Sequence, residues 1–203
     1  MFQRLCRSIL LTSSCLVVFS PLPGEEVDTV AGHSLEHYVD QLPSADRVVR
    51  LRAARSLLPF GDRAGEALRA ALDHEDPAVR YIAAESLGRI GGDALEQSVG
   101  RLCELAEDES SHAVRVAASF ALCRHGLTDP HLDLMIETLD YPERGMACNT
   151  AFLIGEIGPD ASEAKEALQR TLDQNRPGGK VGDYHLGGSA LNALRKLSRS
   201  GQR

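Results

Sequence analysis

The chain has 203 residues, 43% of them hydrophobic and only 4% aromatic, with no tryptophan and a net charge of −7. That length suits one domain of ordinary size, and a core so short of rings must be assembled from Ala, Leu, Ile and Val, which favours close helix packing over a sheet. No run of Lys and Arg exceeds two residues, so the basic footprint of a nucleic-acid binder is missing.

Residues 1–32 read as a targeting segment. Arg4 and Arg7 precede a short apolar run, Ser8–Phe19, followed by "SPLPG", the order of a secretory signal. About 12 apolar residues are too few for a membrane span of about 20. A cleaved signal is therefore expected, with an uncleaved N-terminal anchor as the alternative. Pro21 disfavours a junction after Ser20; "TVA", ending at Ala31, has suitable small residues but lies far from the apolar run. The protein is expected to be exported, periplasmic or extracellular, touching a membrane only through this segment. Cleavage would leave Cys103, Cys123 and Cys148, an odd set that reads as small buried hydrophobes rather than a disulfide framework.

Residues 33–203 form the second unit, and within it the chain repeats. "VVRLRAARSLLPFG" (48–61), "AVRYIAAESLGRIG" (78–91), "AVRVAASFALCRHG" (113–126) and "GMACNTAFLIGEIG" (145–158) align, with a worn copy "HLGGSALNALRKLS" at 185–198. The closing glycines, Gly61, Gly91, Gly126 and Gly158, lie 30 to 35 residues apart, the period of stacked helical hairpins. A shorter helical stretch precedes each copy: "SLEHYVDQL", "RAGEALRAALDH", "DALEQSVGRLCELAED", "PHLDLMIETLDY" and "ASEAKEALQRTLDQ". In the second unit Ala67, Leu68, Ala71 and Leu72 share one helical face, and Val79, Ile82, Ala83, Ser86, Leu87 and Ile90 form the buried stripe of the second helix. Ala83, Ala118 and Ala190 share a position, as do Leu57, Leu87, Leu122 and Leu194. Asp76 is placed to cap a helix, Pro77 fits its first position, and Gly91 is expected to end it in the left-handed conformation.

The stretches "DPAVR…AAESLGRIG" and "HAVRVAASFALCRHG" resemble HEAT-like repeats of the bacterial type also seen in phycobilisome lyases, over roughly Ser34 to Leu197. The resemblance implies an all-α, right-handed α-solenoid of about five helical hairpins. It also implies that the early arginines, Arg50, Arg80 and Arg115, join a ladder of polar contacts between repeats. Ala147 and Gly187 stand at that position in the last two units, so the ladder should weaken there. The later units are also similar to HEAT-like tails of some secreted bacterial sulfatases, without any sulfatase catalytic domain.

Short motifs carry little chemistry. "HSLEH" (His33–His37) has the outline of a zinc-protease pattern, but His33 stands where the helix barely begins and no third ligand is indicated, so a surface pair is expected. "RPGGKVGDYHLGG" (Arg176–Gly188) fails as a phosphate loop, because Gln174 and Val181 occupy the required Gly and Ser/Thr places. "EDES" (Glu107–Ser110) reads as a solvated acidic turn. No catalytic set, metal site or cofactor is expected.

One column of positions on the second helices reads Arg55, Glu85, Phe120, Phe152 and Asn192, flanked by Leu51, Tyr81, Val116 and Cys148 one turn earlier and by Leu58, Gly88, Cys123 and Gly155 one turn later. If this column faces the concave side, Arg55, Tyr81, Glu85, Val116, Phe120 and Phe152 form a partner-binding groove. If neighbouring helices close over it, these side chains are ordinary packing. The expected function is non-enzymatic: an exported scaffold that holds a protein or peptide in its concave face. The resemblances leave two alternatives, a lyase-like or chaperone protein handling a small molecule, and a structural accessory to a secreted hydrolase.

Overall fold

The structure, a computed structural model, describes residues 27–175 and 184–199; most of the segment expected to direct export and most of the stretch Arg176–Gly188 weighed as a phosphate loop lie outside these residues. Five antiparallel helical hairpins follow one another. They are α1 (Leu35–Gln41) with α2 (Arg47–Ser56), and α3 (Gly65–Ala71) with α4 (Pro77–Ile90). Next comes α6 (Val99–Asp108) with α7 (His112–His125), preceded by the short α5 (Gly92–Glu96). The last two are α8 (His131–Thr138) with α9 (Arg144–Ile157), and α10 (Lys165–Gln174) with α11 (Tyr184–Ser198). Among the described residues there is no strand beyond an isolated bridge between Val30 and His33. The fold is an all-α solenoid.

The helix boundaries follow from capping chemistry. Asp46 accepts from the Val48 amide at 2.8 Å to open α2, and Asp76 accepts from the Ala78 amide at 2.9 Å to open α4, satisfying donors that have no partner inside the helix. The closing glycines divide. Gly126 ends α7 in the left-handed conformation (φ 100°, ψ 5°). Gly91, expected to do the same, does not: it takes φ 71° and ψ −149°, a mirror-extended geometry open only to glycine, which turns the chain directly into α5.

Residues 27–32 lie against the first hairpin. The Tyr38 hydroxyl donates to the Val30 carbonyl at 2.6 Å, and Arg63 donates to the Val27 carbonyl at 3.1 Å. Val30 packs on the core beside Leu35 and Leu51.

Two apolar cores share one helix. The first gathers α1 to α7 and takes Val114, Ala117, Ala118, Ala121 and Leu122 from α7. The second gathers α8 to α11 and takes Val116, Phe120 and Cys123 from the same helix. These two sets lie on different faces at helical spacing, so α7 is a wall between the cores. Its outer neighbours sit at unequal distances. At Gly88 of α4 a Cβ would stand 2.8 Å from the Ala121 Cα and 2.9 Å from the Phe120 ring; at Gly155 of α9 it would stand 3.0 Å from the Ala193 Cα of α11. Glycine at this position lets α4 press on α7 and α9 press on α11. The equivalent residue of α7 is Cys123, and α7 packs far less closely on α9. The stack is therefore tight, open, then tight again, and the bulk of Phe120, Val116 and Cys123 fills the opening.

Gly88→Ala is expected to destabilise the fold by about 1–3 kcal/mol, because the methyl group meets backbone rather than a flexible side chain; the helix-propensity gain of about 1 kcal/mol only partly offsets this. Urea unfolding followed by circular dichroism measures it.

Candidate functional site

Polar contacts between successive hairpins come first, because they set the helix register. Arg50 on α2 donates to Asp76 through Nη2 at 2.8 Å and Nε at 3.0 Å, and Arg47 adds a third bond at 3.2 Å. Asp76 thus caps its own helix while gripping the preceding hairpin. Burial works to raise its pKa, but the Ala78 amide and the two guanidiniums outweigh it, and the carboxyl is held below its ordinary value. One hairpin further on, Arg80 makes a paired contact with Glu109, both bonds at 2.8 Å. The Arg80 bonds, helped by the Ser111 amide, hold the Glu109 carboxyl at about 2. Glu109 belongs to the acidic turn "EDES", read above as solvated, yet its side chain is only 6% exposed. Arg115 has no such carboxylate. Its Nε donates to the Ala106 carbonyl within its own hairpin at 3.1 Å, so among the described residues the Arg50–Asp76 and Arg80–Glu109 type of contact is not repeated at Arg115.

The column Arg55–Glu85–Phe120–Phe152 does not form one open apolar groove. Phe120 is 0% and Val116 1% exposed, and Cys123 is also buried; burial drives the Cys123 thiol up to about 12. These residues are packing, because α4 and α9 close over them. The Tyr81 hydroxyl on α4 accepts from Asn149 Nδ2 on α9 at 2.9 Å, a contact that skips the intervening second helix. Arg89 of α4 binds Glu85 at 2.8 Å and reaches Glu156 of α9 at 3.5 Å. Lys196 of α11 also binds Glu156. Phe152 is 37% exposed, but its ring carries two cations, Arg89 at 5.3 Å and Lys196 at 5.0 Å, an arrangement favoured by the ring's quadrupole. Arg124 of α7 ties the ends together, donating to the carbonyls of Gly88 and Glu156. Side chains from the second and fourth hairpins can meet only if the second helices line the inside of a curve.

A groove remains open on that inner side, one turn nearer the helix N-termini. It comprises two cavities of about 220 and 370 Å³ that share Tyr81, Ala113 and Asn149. Val116 and Met146 extend the apolar lining; Arg47 stands at one part and Glu143 at the other. Burial, then the nearby Glu85 carboxylate, raises the Tyr81 hydroxyl pKa, so it stays a neutral hydrogen-bonding group. Of the expected partner-binding residues, the structure brings Tyr81 and Val116 into this groove, places Glu85 and Phe152 in the ion network beside it, buries Phe120, and leaves Arg55 exposed on α2 at a separate surface. Asn149 was missed. It stands in register with Arg52, Ile82 and Ala117, a mixed column in which nothing local singles it out.

The His33–His37 pair is a stacked couple, rings 4.0 Å apart and nearly parallel, with His37 Nε2 bonded to the Gln41 amide. Among the described residues no group of three or more His, Cys, Asp and Glu is arranged to hold a metal ion, and no helix is long and apolar enough to cross a membrane.

Residues 35–123 match the family model for HEAT repeats. Among curated proteins no match is found. Among solved structures, an engineered protein is similar at 23% identity, with 80% of this chain and 78% of that one covered and a TM-score of 0.48. A designed armadillo repeat protein is similar at 18% identity, with 80% and 82% covered and a TM-score of 0.46. The complex of CpcE and CpcF of phycocyanin lyase from Nostoc sp. PCC7120 is similar at 16% identity, with 88% and 99% covered and a TM-score of 0.36.

The Glu109 contact makes stability depend on pH. Its carboxyl titrates at about 2 in the fold against 4.5 unperturbed, so the stabilisation is complete above about pH 4.5 and is lost as pH falls toward 2. Glu109→Gln should cost about 2 kcal/mol at pH 7, as expected for a charge-assisted pair, and should flatten the acid limb of the stability curve measured by urea unfolding from pH 2 to 7.

Proposed function

We propose that this HEAT-repeat chain is a non-enzymatic binding module that holds a protein segment along its inner helices. The observation that carries this reading is the groove around Tyr81 and Asn149. It is long, lined mainly by small and apolar groups, and crossed by one fixed polar pair. Recognition sites combine such an apolar lining with a few placed polar groups that set orientation, and the inner faces of solenoids are extended enough to take a chain segment. The ion network from Glu85 to Lys196 supports the role by holding α4, α9 and α11 at fixed separation, so the groove is formed before a partner arrives and little ordering is needed on binding.

A peptide library displayed on phage and selected on the immobilised protein tests this. Selected peptides should bind the Tyr81→Ala/Asn149→Ala variant at least tenfold more weakly, with the variant's circular dichroism spectrum retained. Equal binding to both proteins rejects the groove as the site.

We further propose export, on the order of charges and apolar residues in the first 19 positions. Cleavage after Ala31 would remove Val30 from its bond to Tyr38; a junction before Val27 would keep it. Mass spectrometry of the protein recovered from the envelope fraction should show a mature chain that still contains Val27. An N-terminus at Gly32 contradicts that junction, and an unprocessed chain contradicts cleavage.

A further inference from the structure

We propose that a second surface, on α2 of the first hairpin, binds an acidic segment of a partner protein that also carries aliphatic side chains. A groove of about 450 Å³ lies there, with Val30, Val48, Leu51 and Pro59 as its apolar part and Arg52 and Arg55 at its rim. It is separate from the Tyr81–Asn149 groove, and no residue lines both.

The repeat register explains why this surface is open. Arg52 stands where α4 has Ile82 and α7 has Ala117, and both of those are buried. In the inner hairpins this face receives the preceding hairpin. In the first hairpin the described residues place only Val30 against it. At Arg52 the surface therefore matches a helix-receiving face, and Val48, one turn away, is 63% exposed. A purely solubilising end repeat would be polar across this face; here aliphatic groups remain between arginines.

Charge selects the occupant. The sequence of α2, "RVVRLRAARS", holds four arginines and no acid. Arg47 and Arg50 converge on the single carboxylate of Asp76. Among the described residues Arg52 and Arg55 have neither an ion-pair nor a hydrogen-bond partner, whereas Arg63, Arg80, Arg89 and Arg101 hold carboxylates and Arg69, Arg115 and Arg124 hold other acceptors. Unpaired guanidiniums are forked donors suited to carboxylates, and the aliphatic positions between them suit Leu, Ile or Val of the same partner. A nucleic acid is disfavoured: no aromatic ring lines the groove to stack a base, and the chain as a whole carries −7. A bilayer is disfavoured because, of the groove's valines and leucine, Val30 and Leu51 are half-buried and only Val48 projects.

The test uses the full chain and a fluorescein-labelled peptide of about twelve residues alternating glutamate and leucine pairs, read by fluorescence anisotropy. Binding should be saturable and should weaken with added salt, as charge pairing requires. Arg52→Glu/Arg55→Glu should weaken it at least tenfold, and Val48→Asp should weaken it as well. All three positions are exposed, so melting temperatures should stay near that of the parent. Tyr81→Ala/Asn149→Ala should leave the affinity unchanged. The proposal is overturned if the parent protein does not bind the peptide, or if a lysine–leucine counterpart binds equally well. Unchanged affinity after the arginine reversal overturns it too. So does tighter, arginine-dependent binding of phosphatidylserine vesicles or an oligothymidine than of the peptide.

Discussion

The architecture turns on how closely two helices can approach at one position. Where α4 meets α7 that position is Gly88, and where α9 meets α11 it is Gly155; in both places a side-chain methyl group would run into backbone. Close approach maximises dispersion contacts between helices built largely of alanine, which compensates for the small number of aromatic rings. The same position in α7 is Cys123. There a CH2–SH group replaces the glycine hydrogen, and α9 stands further from α7.

The consequences spread from that spacing. Because α9 stands off from α7, Phe120 and Val116 find room between them and join the second core rather than the solvent. Because α9 is displaced, Asn149 reaches Tyr81, and Glu156 reaches both Arg89 and Lys196. The ion network on the inner face is thus made possible by a packing defect that it then bridges. Its members are partly exposed, so each pair contributes modestly; their value lies in fixing the distance between α4 and α9, and hence the width of the groove beside them.

Asp76 shows how few polar groups align the first hairpins. One carboxylate accepts the cap bond of α4, two bonds from Arg50 and one from Arg47. A buried carboxylate is tolerated only when its lone pairs are filled, and here filling them requires two hairpins in the correct register. Glu109 does the same for the next pair. Among the described residues Arg115 has no matching carboxylate, and this coincides with the change in packing between α7 and α9. The HEAT-repeat model also ends at residue 123, at this joint.

The sequence by itself determined the repeating hairpin, its period, its caps and its apolar stripes, because these depend on local rules: helical periodicity, a capping acid, a glycine that admits positive φ. Of the leucines aligned by sequence alone, Leu57, Leu87 and Leu122 are fully buried and Leu194 is half-buried. The tertiary structure decided which side chains stay open along a groove and which are packed away. Whether Phe120 faces solvent depends on the distance between α7 and α9, a property of neither helix alone, and Gly88 and Cys123 declare that distance only when the opposing backbone is in view. Likewise Glu109 looked like part of a solvated turn until Arg80, 29 residues away, was placed beside it. Local spacing tells which residues share a face; only packing tells what that face meets.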